Sequence, residues 1–137
     1  MRAFIDTSSL LKKYIHEHGS DKFDQLLEHI TEIAVSPTLL LEIHCAVQRR
    51  FHERIITAEQ TEFIKQEIKK DAGYLAKVPW SDDLEEKALN IIARHRIKTL
   101  DSIQLACAHL SKADMFVTSD QKLFQTAKKE IKNAVFI

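Results

Sequence analysis

The sequence predicts an α/β protein: a three-layer α/β/α sandwich around a short, mainly parallel sheet of four to five strands. Three observations predict it. Short β-type runs alternate with amphipathic helical segments along the whole chain. Several of those runs, "MFV" at 115–117 and "AVFI" at 134–137 among them, are apolar without alternation, as strands covered on both faces are. Only two glycines and two prolines occur in 137 residues, 45% of them hydrophobic, which favours regular structure and one substantial core. Residues 1–137 read as a single domain with no linker, repeat or low-complexity stretch.

The elements follow in order. "RAFI" at 2–5 is a strand ending at Asp6, and "SSLLKKYI" continues as a helix. A second helix begins near Asp21 and runs through "KFDQLLEHI". "EIAV" at 32–35 is the next strand, after which Ser36 and Pro37 read as an N-cap with proline at the first helical position. That helix extends to about Arg54, with Leu39, Ile43, Ala46 and Val47 as its core stripe. A helix over roughly 58–71 should pair with it as a hairpin standing off the sheet. "YLAKVPW" at 74–80 is a weak strand, with Trp80 expected in the core or an interface. "SDDLEEKALNIIARHR" places acids first and bases last, as a helix dipole prefers. "TLDSIQLACAHLSKA" is a mostly apolar, central helix; "MFVTSD", "QKLFQTAKKE" and "AVFI" close the chain as strand, helix and strand.

Composition excludes several functions. No apolar run approaches the roughly 20 residues of a membrane span, and the N-terminus lacks the apolar core of a signal peptide, so a cytoplasmic protein is expected. Gly19 and Gly73 stand alone, which leaves no dinucleotide-binding or Walker-type loop. Cys45 and Cys107 sit in apolar helical contexts and are expected to be buried free thiols. The seven histidines show no metal-type spacing, and His44 and His109 read as structural. No G-x-S-x-G elbow is present, and Ser8 stands where a haloacid-dehalogenase phosphatase needs a second acid. Twenty basic residues balance 20 acidic ones, so any nucleic-acid contact must come from local patches or bound cations. Such patches exist at Lys12–Lys13, at "QRRFHER" (48–54) and at "RHRIK" (94–98), with Arg94, Arg96 and Lys98 leading into Asp101.

Four acids stand out. Asp6 and Asp120 each follow a strand, while Glu42 and Asp101 lie in the first turns of helices. In a parallel sheet these places converge at the carboxyl edge, where ligands bind. Singly, each acid could be a helix cap or a dipole partner. Glu42 resists that reading, because it sits beside an apolar stripe where an unpaired charge is costly. Four carboxylates together repel one another unless a cation lies among them, and an all-oxygen set suits Mg²⁺ or Mn²⁺.

"FIDTSSLL", "SPTLLLEI", "KTLDSIQLACA" and "FVTSDQKLF", in this order and spacing, make the chain resemble the PIN-domain family, and within it the VapC-type toxins of toxin–antitoxin pairs. The resemblance spans essentially the whole chain. It implies an Mg²⁺- or Mn²⁺-dependent endoribonuclease in which Asp6, Glu42, Asp101 and Asp120 hold the metal, leaving 3′-hydroxyl and 5′-phosphate ends. It also implies supporting roles for the hydroxyls of Ser8 and Thr118, an inhibitory antitoxin partner and a homodimer. Two other readings stay open at this point. One makes the acids structural caps in a non-catalytic binding module; the other gives the metal site a housekeeping RNA or DNA substrate.

Overall fold

The computed structural model describes all of residues 1–137. Five strands, β1 (Arg2–Ile5), β2 (Glu32–Val35), β3 (Ala76–Lys77), β4 (Met115–Thr118) and β5 (Ala134–Phe136), form one sheet in the order β3-β2-β1-β4-β5. Every pairing is parallel. The chain therefore winds outward from β1 in one direction, then crosses to β4 and winds outward in the other. That reversal opens a crevice at the carboxyl ends of β1 and β4, where open α/β sheets bind ligands.

The strand sequences explain why the sheet is covered twice. Phe4 and Phe116 are in-register neighbours whose rings stack at 5.9 Å between centroids. They face α5 (Asp82–Arg94), α6 (Thr99–Leu110) and α7 (Gln121–Glu130), packing with Leu84, Ile91, Leu105 and Leu123. Their neighbours Ala3, Ile5, Met115 and Val117 point the opposite way. They pack with Leu10 of α1 (Thr7–Leu10), Phe23 of α2 (Ser20–Leu27) and Leu39 of α3 (Leu39–His52). Each face thus has its own apolar layer, and the three-layer sandwich follows.

A third cluster lies outside the sheet. Ile43 and Val47 of α3 pack with Ile64 and Ile68 of α4 (Ala58–Asp71) around Leu11 and Ile15. This is the expected hairpin. A capping box starts α4: Thr57 Oγ1 accepts the Gln60 amide at 3.1 Å, and Gln60 Oε1 accepts the Thr57 amide at 2.9 Å.

Several expectations need correction. The first helix is a single α-turn continued by a 3₁₀ turn over Leu11–Lys13, and β3 is two residues long. Ser36 is not an N-cap; α3 begins at Leu39 after Thr38, while the Ser36 hydroxyl pairs with Thr38 Oγ1 at 2.9 Å. Trp80 is 54% exposed, which excludes the core and leaves the interface of the two places expected for it. Cys107 is buried as expected, but Cys45 is exposed because it lies on the side of α3 carrying Leu41 and Glu42, away from the Leu39–Ile43–Val47 stripe. No helix is long and apolar enough to cross a membrane.

Candidate active site

Sheet register sets the site. The Asp6 amide donates to the Val117 carbonyl at 2.9 Å, so Asp6 leaves β1 beside the last residues of β4. Thr118 ends β4, and Asp120 follows two residues later as the N-cap of α7. Glu42 stands in the first turn of α3 and Asp101 in the first turn of α6. All four acids, with Ser8, line one cleft of about 630 Å³.

Three of these acids are held by one oxygen only. Asp6 Oδ2 accepts both the Ser8 hydroxyl (2.6 Å) and the Thr118 hydroxyl (2.9 Å), and Oδ1 has no protein partner. Glu42 Oε1 accepts both Thr38 Oγ1 (2.5 Å) and Gln104 Nε2 (2.9 Å), and Oε2 has none. Asp120 Oδ1 accepts the Leu123 amide at 2.9 Å, leaving Oδ2. The fourth carboxylate, that of Asp101, makes no hydrogen bond. The fold therefore fixes three carboxylates through one oxygen each and keeps the others available.

Seryl and threonyl hydroxyls tie the two strand ends together. Thr118 Oγ1 also accepts the Asp120 amide at 3.1 Å, and Ser8 Oγ accepts the Ser119 amide at 3.0 Å. Ser9 and Ser119 share a hydroxyl contact at 2.7 Å. Thr118 is fully buried beneath the acids and does not line the cleft. The Thr7 hydroxyl, also buried, lines the cleft near Glu42, whose ionised form it favours, and makes no hydrogen bond of ordinary length.

Electrostatics bind the four acids into one system. Burial pushes Asp6 up to about 6 despite the lowering effect of its two hydroxyl donors, and the charges of Glu42 and Asp120 add to the rise. Asp101 also rises to about 6, first through desolvation and then through Asp120 and Asp6. Glu42 is raised by burial, opposed by Thr38 and Gln104, with Asp101 adding to the rise. Carboxylates that are harder to ionise together than apart are those that a cation would relieve.

The donor set fits a hard divalent ion in a particular way. No three histidine, cysteine or acidic side chains converge into a ready-made cage. Mg²⁺ needs none: it keeps several waters and is commonly held by one or two carboxylates. Unpartnered oxygens on four acids around one cleft match that demand.

Of the residues singled out in the sequence, Asp6, Ser8, Glu42, Asp101 and Asp120 meet in the cleft, with Thr118 directly below. Arg94, Arg96 and Lys98 do not line it, although the Lys98 charge acts on Asp101. Arg94 is instead forked onto Glu130 at 2.9 Å through both Nε and Nη2, alongside His95. Sequence reasoning missed Gln104 and Thr38, which hold Glu42. The signal for Gln104 was present: it is the one long polar side chain inside "SIQLACA".

A doubly wound parallel sheet with four acids at its switch point defines a class, and comparison assigns the family. A family model described as PIN domain matches residues 3–129. The chain belongs to the PIN domain family. No curated protein matches it. Among solved structures it is similar to a toxin–antitoxin complex from Klebsiella pneumoniae at 19% identity and TM-score 0.72, covering 97% of this chain and 95% of that one. It is also similar to Mycobacterium tuberculosis VapC20, described as a sarcin-ricin loop cleaving toxin. There the identity is 16% and the TM-score 0.68, with 88% and 92% of the chains covered. FitAcB from Neisseria gonorrhoeae matches at 14% identity and TM-score 0.71, over 98% and 96% of the two chains.

Proposed function

We propose that the protein is a metal-dependent endoribonuclease acting as the toxin of a toxin–antitoxin pair. The observation that carries the catalytic reading is the one-oxygen anchoring of Asp6, Glu42 and Asp120 beside an unbonded Asp101. The capping alternative accounts for Asp120 alone, since Asp6 caps nothing with its side chain and Asp101 accepts no amide. The toxin reading is supported by the family and by its structural relatives, one described as a sarcin-ricin loop cleaving toxin and another a toxin–antitoxin complex.

In this proposal Asp6, Glu42, Asp101 and Asp120 hold one or two Mg²⁺ or Mn²⁺ ions, directly or through water. Such an ion supplies Lewis acidity when bound, bringing the pKa of a water towards neutrality for in-line attack on phosphorus. Thr118 and Ser8 fix the rotamer of Asp6, and Thr38 and Gln104 fix that of Glu42, so the free oxygens are positioned before substrate arrives. Thr7 stands at the cleft wall as a hydroxyl donor for a phosphate oxygen, while the single hydroxyl proton of Ser8 is committed to Asp6 Oδ2. A cognate antitoxin would silence the enzyme by placing a basic side chain among the four acids, and the active form would be a homodimer.

Incubating purified protein with RNA in Mg²⁺ or Mn²⁺, against an EDTA control, tests the reaction. Cleavage leaving 3′-hydroxyl and 5′-phosphate ends, absent in EDTA, is expected. Metal-independent cleavage or 2′,3′-cyclic phosphate ends would contradict the mechanism. Growth arrest on expression, relieved by Asp6→Asn, separates a toxin from a binding module or a housekeeping nuclease.

A further inference from the structure

The cleft continues past the four acids. Its far wall is formed by Lys12, Glu17, Arg49 and Arg50. An adjoining hollow of about 350 Å³ shares Glu17, Arg49 and Arg50 and extends to His16. A groove therefore runs from the carboxylates along α3.

The three cations of that wall are not equivalent. Arg50 Nη2 donates to Glu17 Oε2 at 3.0 Å, and Nη1 donates to the Ala46 carbonyl at 3.2 Å. Lys12 Nζ reaches Glu17 Oε1 at 3.4 Å and donates to the His18 carbonyl at 2.6 Å. Both are occupied by the fold. Arg49 is exposed and has neither an ion-pair nor a hydrogen-bond partner, although Glu17 neutralises the residue next to it. Arg49 follows Glu42 by seven residues, so both share a face of α3 about 10 Å apart along its axis. A polyanion approaching five acidic side chains in this cleft needs compensating positive charge. Arg49 is the one free guanidinium there, and its planar fork suits phosphate.

We propose that Arg49 grips a backbone phosphate of the RNA flanking the scissile one, with the Lys12–Glu17–Arg50 ion pairs forming the groove wall beside it. The inference rests on the ribonuclease reading for the position of the strand. Its test does not require cleavage.

The test is binding of a labelled single-stranded RNA oligonucleotide by fluorescence anisotropy, in EDTA and at several salt concentrations. Wild type is compared with Arg49→Ala, Arg49→Lys and Lys132→Ala. Lys132 precedes the amino end of β5, at the opposite sheet edge, and serves as the charge control. Arg49→Ala is expected to weaken binding about tenfold and to reduce the slope of log K against log salt by about 0.7. Arg49→Lys should keep the slope and bind more weakly than wild type, and Lys132→Ala should change neither. Wild-type affinity and slope in Arg49→Ala, an equal loss in Lys132→Ala, or no RNA binding by wild type would overturn the assignment. Cleavage in Mg²⁺, measured separately, distinguishes the two proposals. Wild-type cleavage with unaltered Arg49→Ala binding removes only the phosphate grip. Binding lost in Arg49→Ala without wild-type cleavage removes only the nuclease.

Discussion

Thr118 Oγ1 donates to Asp6 Oδ2 over 2.9 Å, across 112 residues of sequence, and the same oxygen receives the Asp120 amide at 3.1 Å. One buried hydroxyl therefore locks two of the four acids to each other and to the end of β4. Replacing it with an isosteric methyl leaves the Asp120 amide unpaired and removes a donor that favours ionised Asp6. Thr118→Val should cost about 1–3 kcal/mol of stability and lower RNA cleavage at least tenfold, while Thr118→Ser keeps both near wild type. Denaturant melts and cleavage rates of the two variants check this.

Asp6 and Asp101 give the metal-free protein a distinctive pH dependence. Both are raised to about 6 from an ordinary 3.8, so the folded state holds their protons more tightly than the unfolded chain does. The stabilisation is fully present below about pH 4 and is lost as pH rises through 6. In EDTA, the contribution of this pair should make the melting temperature fall between about pH 4 and 6, and Asp101→Asn should flatten that fall. Saturating Mg²⁺ should raise stability most at pH 7 and progressively less as pH drops through 6. Thermal melts across that range, with and without metal, provide the readout.

Gln104 separates function from stability. Its Nε2 holds Glu42 Oε1 at 2.9 Å, but its own Oε1 is buried without a partner. Gln104→Leu removes a useful donor and an unsatisfied acceptor together, so the melting temperature should change little. Glu42 loses one of its two anchors and keeps only Thr38, and cleavage should fall about tenfold. Melting and kinetics on one preparation decide between this and a purely structural role.

Glu130 makes the opposite case. It accepts the Arg94 fork and His95 Nε2 at 2.6 Å, which hold its carboxyl down at about 2. The contribution is present above the ordinary carboxylate pKa of 4.5 and is lost as pH falls through about 2. Glu130→Gln should lower the melting temperature at pH 7 by a few degrees and leave cleavage per folded molecule unchanged.

The four acids and the sheet that gathers them were legible because both depend on local pattern. Apolar runs such as "MFV" mark strands buried on both faces, and a parallel sheet sends every residue just past a strand to one edge. What escaped depends on partners distant in sequence. Within "RHRIK", Arg94 is a candidate RNA contact in the sequence, and Glu130, 36 residues beyond it, claims its guanidinium, while Arg96 and Lys98 keep no such partner. Arg49 and Arg50 are indistinguishable as letters, and Glu17, 33 residues before Arg50, separates their roles. Cys45 read as buried because the apolar stripe of α3 is narrow, and the cleft beside it appears only once Glu42 is placed.

The central claim is that four carboxylates with free oxygens form a divalent-metal site that drives RNA cleavage. Calorimetric titration of Mg²⁺ and Mn²⁺ into wild type and Asp101→Asn, followed by RNA cleavage on the same samples, tests it most directly. The account predicts binding and cleavage by wild type and loss of both in a folded variant. Folded wild type that takes up no metal at millimolar concentrations, or cleavage that survives in Asp101→Asn, would contradict it.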